Sequence, residues 1–353
     1  MKKQIHNQSV KPMKPTFPTS PTLPIIMKSC VLFAAALLST APAVTADTIK
    51  LAATDVDGQS SFASGTNWTD ENAPQKGNDY SVTGYQLRTP VSSDSYTFAG
   101  DSLTLLSSAR LIYKGTGTNS IITVENLVLA GGRVTNWQSG TTGFRLAGNI
   151  NITTTGHFDV GNNYGAMIVS ARITGDGVLQ VNGNAAPATA GLVLANTNTW
   201  TGGTIIKTNA FVTAQADGAF GGGDVAVEAG GRLKFESAGG GGGGDGTTHS
   251  YIASSANLLL SSELPAGSII LNYTGTNSIA GLSFDGGATF AAAGTWGATG
   301  NPLADHTSAL LTGTGLLYVI PEPGTSALAT GGVVLALAAA AAATRLGASA
   351  PRR

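Results

Sequence analysis

Between residues 47 and 320 the chain keeps returning to short runs in which apolar and polar side chains alternate, and it never sustains a helical stripe. Ser102–Leu106, Ile121–Val124, Leu127–Leu129, Phe144–Leu146, Asn149–Ile152, Val178–Val181, Gly191–Leu194, Thr204–Ile206, Asp224–Val227, Arg232–Phe235 and Leu316–Val319 are of this kind. Alternation with a period of two marks a strand that buries one face. The runs are separated by glycine pairs such as Gly131-Gly132, Gly202-Gly203 and Gly230-Gly231, which give turns a positive φ without steric cost. A new strand about every 10 to 25 residues, with a short turn between, fits a sandwich or a solenoid. Irregular spacing, abundant Asn, Thr and Gly, and scarce internal proline predict an all-β body, a right-handed parallel β-solenoid over 47–320. The alternative is a β-sandwich.

Composition supports a packed but weakly charged body. Apolar residues make up 42% of the 353 and charged residues only 11%, against roughly a quarter charged in ordinary soluble domains. Thr and Ser on exposed strand faces account for the deficit. The net charge of −1 gives no clustered cation surface for phosphates, so nucleic acid is excluded as a partner. That total hides three regions. Residues 1–46 carry five lysines and no acid, residues 47–320 carry 11 basic and 19 acidic residues, and residues 321–353 carry three arginines against Glu322.

The ends read as membrane addresses. Residues 1–26 are Pro-rich and patternless, a non-native or disordered extension, with translation expected to begin at Met27. Lys28, the apolar stretch Val31–Leu38 and the small residues up to Ala46 are the three parts of a secretory signal over 27–46. Cleavage is expected between Ala46 and Asp47, which implies signal peptidase and the export machinery as partners. Cys30 precedes the apolar run and leaves with the signal, so the mature chain has no thiol. At the other end Pro321-Glu322-Pro323 precedes the uncharged stretch Ser326–Ala343, then Arg345, Arg352 and Arg353. Eighteen helical residues span about 27 Å, close to a bilayer core of about 30 Å. The following arginines place the tail in the cytoplasm. This arrangement resembles the PEP-CTERM sorting signal of Gram-negative bacteria. The resemblance implies recognition of 321–353 by an exosortase, a membrane transpeptidase, and delivery to the cell surface or an exopolysaccharide matrix. A plain carboxyl-terminal anchor is the alternative.

A second resemblance lies in the body. Asn198-Thr-Trp200-Thr-Gly202-Gly203-Thr204, between two strands, resembles the autotransporter-associated β-strand repeat, best seen over 191–235. Trp200 stands where that family usually has Tyr, and the turn at Thr208-Asn209 is longer. The stretch from Gly294 to Tyr318 looks like the closing coil found ahead of PEP-CTERM signals. These resemblances imply a passenger-type solenoid and no catalytic residue. The run Gly239–Gly244, within 239–246, reads as a surface loop between coils.

Chemistry-bearing residues are dispersed along the chain. His157, His249 and His306 lie on unlike local sequence with no ligand at metal spacing. Asp55-Val-Asp57-Gly58 opens like a calcium loop but has no closing acid, and reads as an Asp-rich turn. Arg232 and Lys234 share one strand face; they suit a uronic acid or simply a solvated surface. Trp68, Trp137, Trp200 and Trp296 offer flat faces for sugar rings or for core packing. No catalytic, cofactor or metal residue is assigned. The function expected is that of an exported, surface-sorted structural or adhesive protein, not an enzyme, in contact with extracellular polysaccharide. The alternatives are a carbohydrate-active β-helix enzyme, a polysaccharide lyase or hydrolase, or a discrete carbohydrate-binding module.

Overall fold

The computed structural model describes residues 48–321, apart from 119, 138–142, 162, 189 and 238–247. Outside these residues lie the signal 27–46 with the Ala46–Asp47 junction, the glycine run Gly239–Gly244, and Glu322, Pro323, the stretch 326–343 and Arg345, Arg352 and Arg353.

The described residues form strands, turns and bends with no helix. Their strands make sheets of thirteen, nine and five members, and every ladder but one is parallel. Parallel neighbours from successive stretches of chain mean that the backbone winds and stacks coil on coil, a parallel β-solenoid. The sandwich alternative, which needs antiparallel pairing, is thereby excluded.

The nine-stranded sheet records the winding most clearly. One outward position, followed from coil to coil, is occupied by Gln86, Arg110, Arg133, His157, Gln180, Ile205, Ala226, Leu259 and Ser283. The steps are 21 to 25 residues, with one of 33 between Ala226 and Leu259 that contains the glycine run. The neighbouring inward position carries Leu87, Leu111, Val134, Phe158, Val181, Ile206, Val227 and Leu260, all buried. Burying such a side chain contributes about 1.5–3 kcal/mol. The core is therefore assembled one coil at a time, each layer needing only its neighbours.

In the thirteen-stranded sheet two strands run through a corner of the coil. Ser120–Leu129 pairs with both Tyr96–Thr97 and Ser102–Leu105, and Phe144–Ile152 with both Met167–Val169 and Arg172–Gly175. The runs expected as separate strands, Ile121–Val124 with Leu127–Leu129 and Phe144–Leu146 with Asn149–Ile152, are thus continuous. A register shift between Val124 and Asn126 turns the corner. Opposite it, Gly148 has φ 102°, and a Cβ there would lie 1.9 Å from the Val124 carbonyl oxygen, so only glycine fits.

Both ends of the stack are closed by segments outside the coil pattern. At the amino end Leu51 bridges Trp68, and Phe62, Trp68, Tyr80 and Phe98 pack ring on ring, Trp68 and Tyr80 with centroids 4.8 Å apart. Asp55 bonds the free edge of the strand Gln86–Arg88. At the carboxyl end Gly294–Ala298 lies antiparallel on Leu316–Val319, and Trp296 packs on Phe284 and His306. Ser283, the last member of the outward column, is buried there.

Candidate functional site

The outward face of the nine-stranded sheet changes character along the stack. Its first coils present Gln86, Arg110, Arg133, His157 and Gln180, and its later ones Ile205, Ala226 and Leu259. A second column runs beside it through Arg88, Ile112, Thr135, Asp159 and Asn182, in which Ile112 and Thr135 are covered by their neighbours. Trp137, next outward after Thr135, is 41% exposed.

The contacts of Asp159 within this strip cross from coil to coil. Asp159 accepts hydrogen bonds from Thr135 Oγ1 and Asn182 Nδ2, both at 2.9 Å, and pairs with the Arg133 guanidinium at 3.3 Å. Gln180 Nε2 in turn donates to Asn182 Oδ1 at 2.7 Å. His157 sits between Arg133 and Gln180, its Nδ1 buried and without a hydrogen-bond partner. Burial first, and then the Arg133 charge, hold its pKa below 6.5 despite Asp159. At pH 7 the neutral form of the imidazole therefore predominates. The Arg110 guanidinium lies 5.3 Å from the Trp137 ring centroid and pairs with no carboxylate among the described residues. Arg88 pairs with Asp57, which is also under the influence of Lys114. Four cations here face two carboxylates, in a body where acids outnumber bases 19 to 11.

The other candidate residues have structural surroundings. Asp55, fully buried, accepts from Ser61 N, Ser61 Oγ, Asn67 Nδ2 and Arg88 N. Its oxygens fasten the cap. Arg232 and Lys234 do share an outward face, but Arg232 lies 4.6 Å over the Phe211 ring and Lys234 pairs with Glu236 at 2.6 Å. Trp68 and Trp200 are core residues and Trp296 belongs to the closing segment, which leaves Trp137 exposed. His249 stacks on Tyr251 and His306 on Trp296. Among the described residues no group of three His, Cys, Asp or Glu is placed to hold a metal.

The Asn198–Thr204 stretch is now physically intelligible. Asn198 bridges coils through Ile173 N and the Ala219 carbonyl, and the buried Trp200 donates from Nε1 to the Gly203 carbonyl at 3.1 Å. A Cβ on Gly202 would lie 2.3 Å from two backbone oxygens of the coil below.

Sequence reasoning did not single out Arg110, Arg133 or Asp159. The signal that finds the two arginines is their recurrence with His157 at 23- and 24-residue steps, and Asp159 follows as the next outward residue after His157. Pro321 ends the described chain, beside Ile320. The fold and strip define a parallel β-solenoid with a polar, cation-bearing face. Compared with protein-family models, curated proteins and solved structures, the chain matches none.

Proposed function

We propose that this chain is an exported structural or adhesive protein, sorted to the cell surface and in contact there with exopolysaccharide or extracellular matrix. The observation that carries this reading is the strip from Arg110 to Gln180, a polar and aromatic surface on an otherwise acidic stack. Stacked coils suit a spacer, since each added coil lengthens the body without altering the rest. Export follows from the Lys28–Ala46 pattern. Surface sorting by an exosortase-type transpeptidase follows from Pro321-Glu322-Pro323, the apolar stretch 326–343 and the arginines behind it. Fractionation of the producing cells, with both mature termini mapped by mass spectrometry, tests it. An amino terminus at Asp47 and a carboxyl terminus near Pro321 are expected. Cytoplasmic chain carrying uncut Ala46–Asp47 peptides refutes it.

One observation favours a second reading, a carbohydrate-active enzyme: Arg133, His157 and Asp159 stand together on adjacent strands. Asp159, however, is already engaged by three side chains, which suits a positioned acceptor better than a mobile acid or base. Release of new reducing or unsaturated ends from an acidic polysaccharide would establish the enzyme.

A further inference from the structure

We infer that the strip Arg110–Arg133–His157, with Trp137 beside it, binds an acidic polysaccharide whose chain runs along the stacking axis and meets one coil per sugar. The inference deepens the proposed function by naming the ligand class, and it rests on that reading only for the presence of polysaccharide around the protein.

The geometry supplies the argument. Adjacent strands of a sheet lie about 4.8 Å apart, comparable to the rise per sugar of an extended pyranose chain. Arg110, Arg133 and His157 occupy the same position on three successive rungs. A glycan laid across the strands therefore meets side chains in register with its own repeat. A guanidinium offers two parallel N–H donors to a carboxylate. Of the two arginines in the strip, Arg133 is paired with Asp159, whereas Arg110 is held by an aromatic ring. Trp137, 41% exposed, presents the apolar surface on which the C–H face of a pyranose stacks. His157 adds a ring that offers a hydrogen bond without charge. Asp159, which by itself would repel a uronate, is matched by Arg133 and two neutral donors. Since the body as a whole is acidic, a polyanion approaches only where cations collect.

The test is titration calorimetry of the purified full-length chain with hexagalacturonate, and with neutral cellohexaose for comparison. Hexagalacturonate is expected to bind, more weakly as salt rises, and cellohexaose to bind much less. Arg110→Gln and Trp137→Ala should each weaken binding about tenfold. Arg110→Lys, which keeps the charge but not the fork, should fall between Arg110→Gln and the unmodified chain. Arg232→Gln, on the thirteen-stranded sheet, should bind as the unmodified chain does. Circular dichroism confirms that each variant keeps its strand spectrum. Absence of hexagalacturonate binding, equal binding of cellohexaose, or an equal loss in Arg232→Gln overturns the inference. Such a result leaves the export reading standing, because fractionation decides that separately.

Discussion

The side-chain carbonyl of Asn198 accepts the backbone N–H of Ile173, one coil below it, at 2.8 Å. The same amide donates to the Ala219 carbonyl, one coil above, at 2.8 Å. A side chain thus does what a strand does elsewhere, at a corner where the ladder is interrupted. Asn277 repeats the device on both polar groups of Ile252.

Replacing Asn198 by Ala strands a buried donor and a buried acceptor. The expected loss is about 2–4 kcal/mol, read as a lower denaturant midpoint. Asn196→Ala, at a more exposed neighbour that makes one such bond, should cost distinctly less.

Trp200 fills the core beneath that corner and is completely buried. Trp200→Ala leaves a cavity and should cost about 3–5 kcal/mol. Gly148→Ala tests the other corner: with φ 102° and no room for a Cβ, it should be among the most destabilising single-methyl additions in the chain. Thermal unfolding followed at a strand wavelength checks both.

His157 gives stability a pH dependence of defined sign. Its folded pKa lies below its ordinary value of 6.5, so the unfolded chain takes up the proton first. The contribution is present above 6.5 and is lost as pH falls from there through the folded value. Asp57, Glu236, Asp285 and Asp305 have pKa values lowered from carboxylate values near 4, Asp285 to about 2. Their contributions fade at lower pH. Comparing His157→Gln with the unmodified chain in denaturant between neutral pH and pH 5 should show a flatter pH profile for the variant; identical slopes would remove His157 from this role.

On the sorting reading, Pro321, Glu322 and Pro323 are what the transpeptidase grips, since two prolines hold the peptide extended. Substituting all three by Ala should leave the body folded while an uncleaved form stays with the membrane. Removal of Arg345, Arg352 and Arg353 should disturb orientation instead. If the triple alanine protein reaches the surface trimmed like the parent, 326–343 is an ordinary anchor.

Strand content was legible from alternation alone: Val178–Val181, Thr204–Ile206 and Arg232–Phe235 lie in strands, and Gly131, Gly203 and Gly230 have positive φ. What alternation does not carry is register. Coil length varies from 21 to 33 residues along the stack, so the 23- and 24-residue steps that align Arg110, Arg133 and His157 do not stand out as a repeat. The local sequence Asp55-Val-Asp57-Gly58 shows a turn, but the fourth donor to Asp55, Arg88 N, is 33 residues away. Nor does local pattern distinguish the exposed Trp137 from the buried Trp200. The difference is set by which face of which coil each one occupies.

The parallel stacking has a mechanical consequence. The bonds between coils point along the axis, so a pull on the two ends of the body loads them end-on, and the outermost coil yields first while the rest stays wound. Apart from the 33-residue coil that holds the glycine run, each coil that peels away releases 21 to 25 residues, roughly 70–90 Å of slack at full extension. Under such a load the body behaves as a series of small extensible links, lengthening in steps before it gives way.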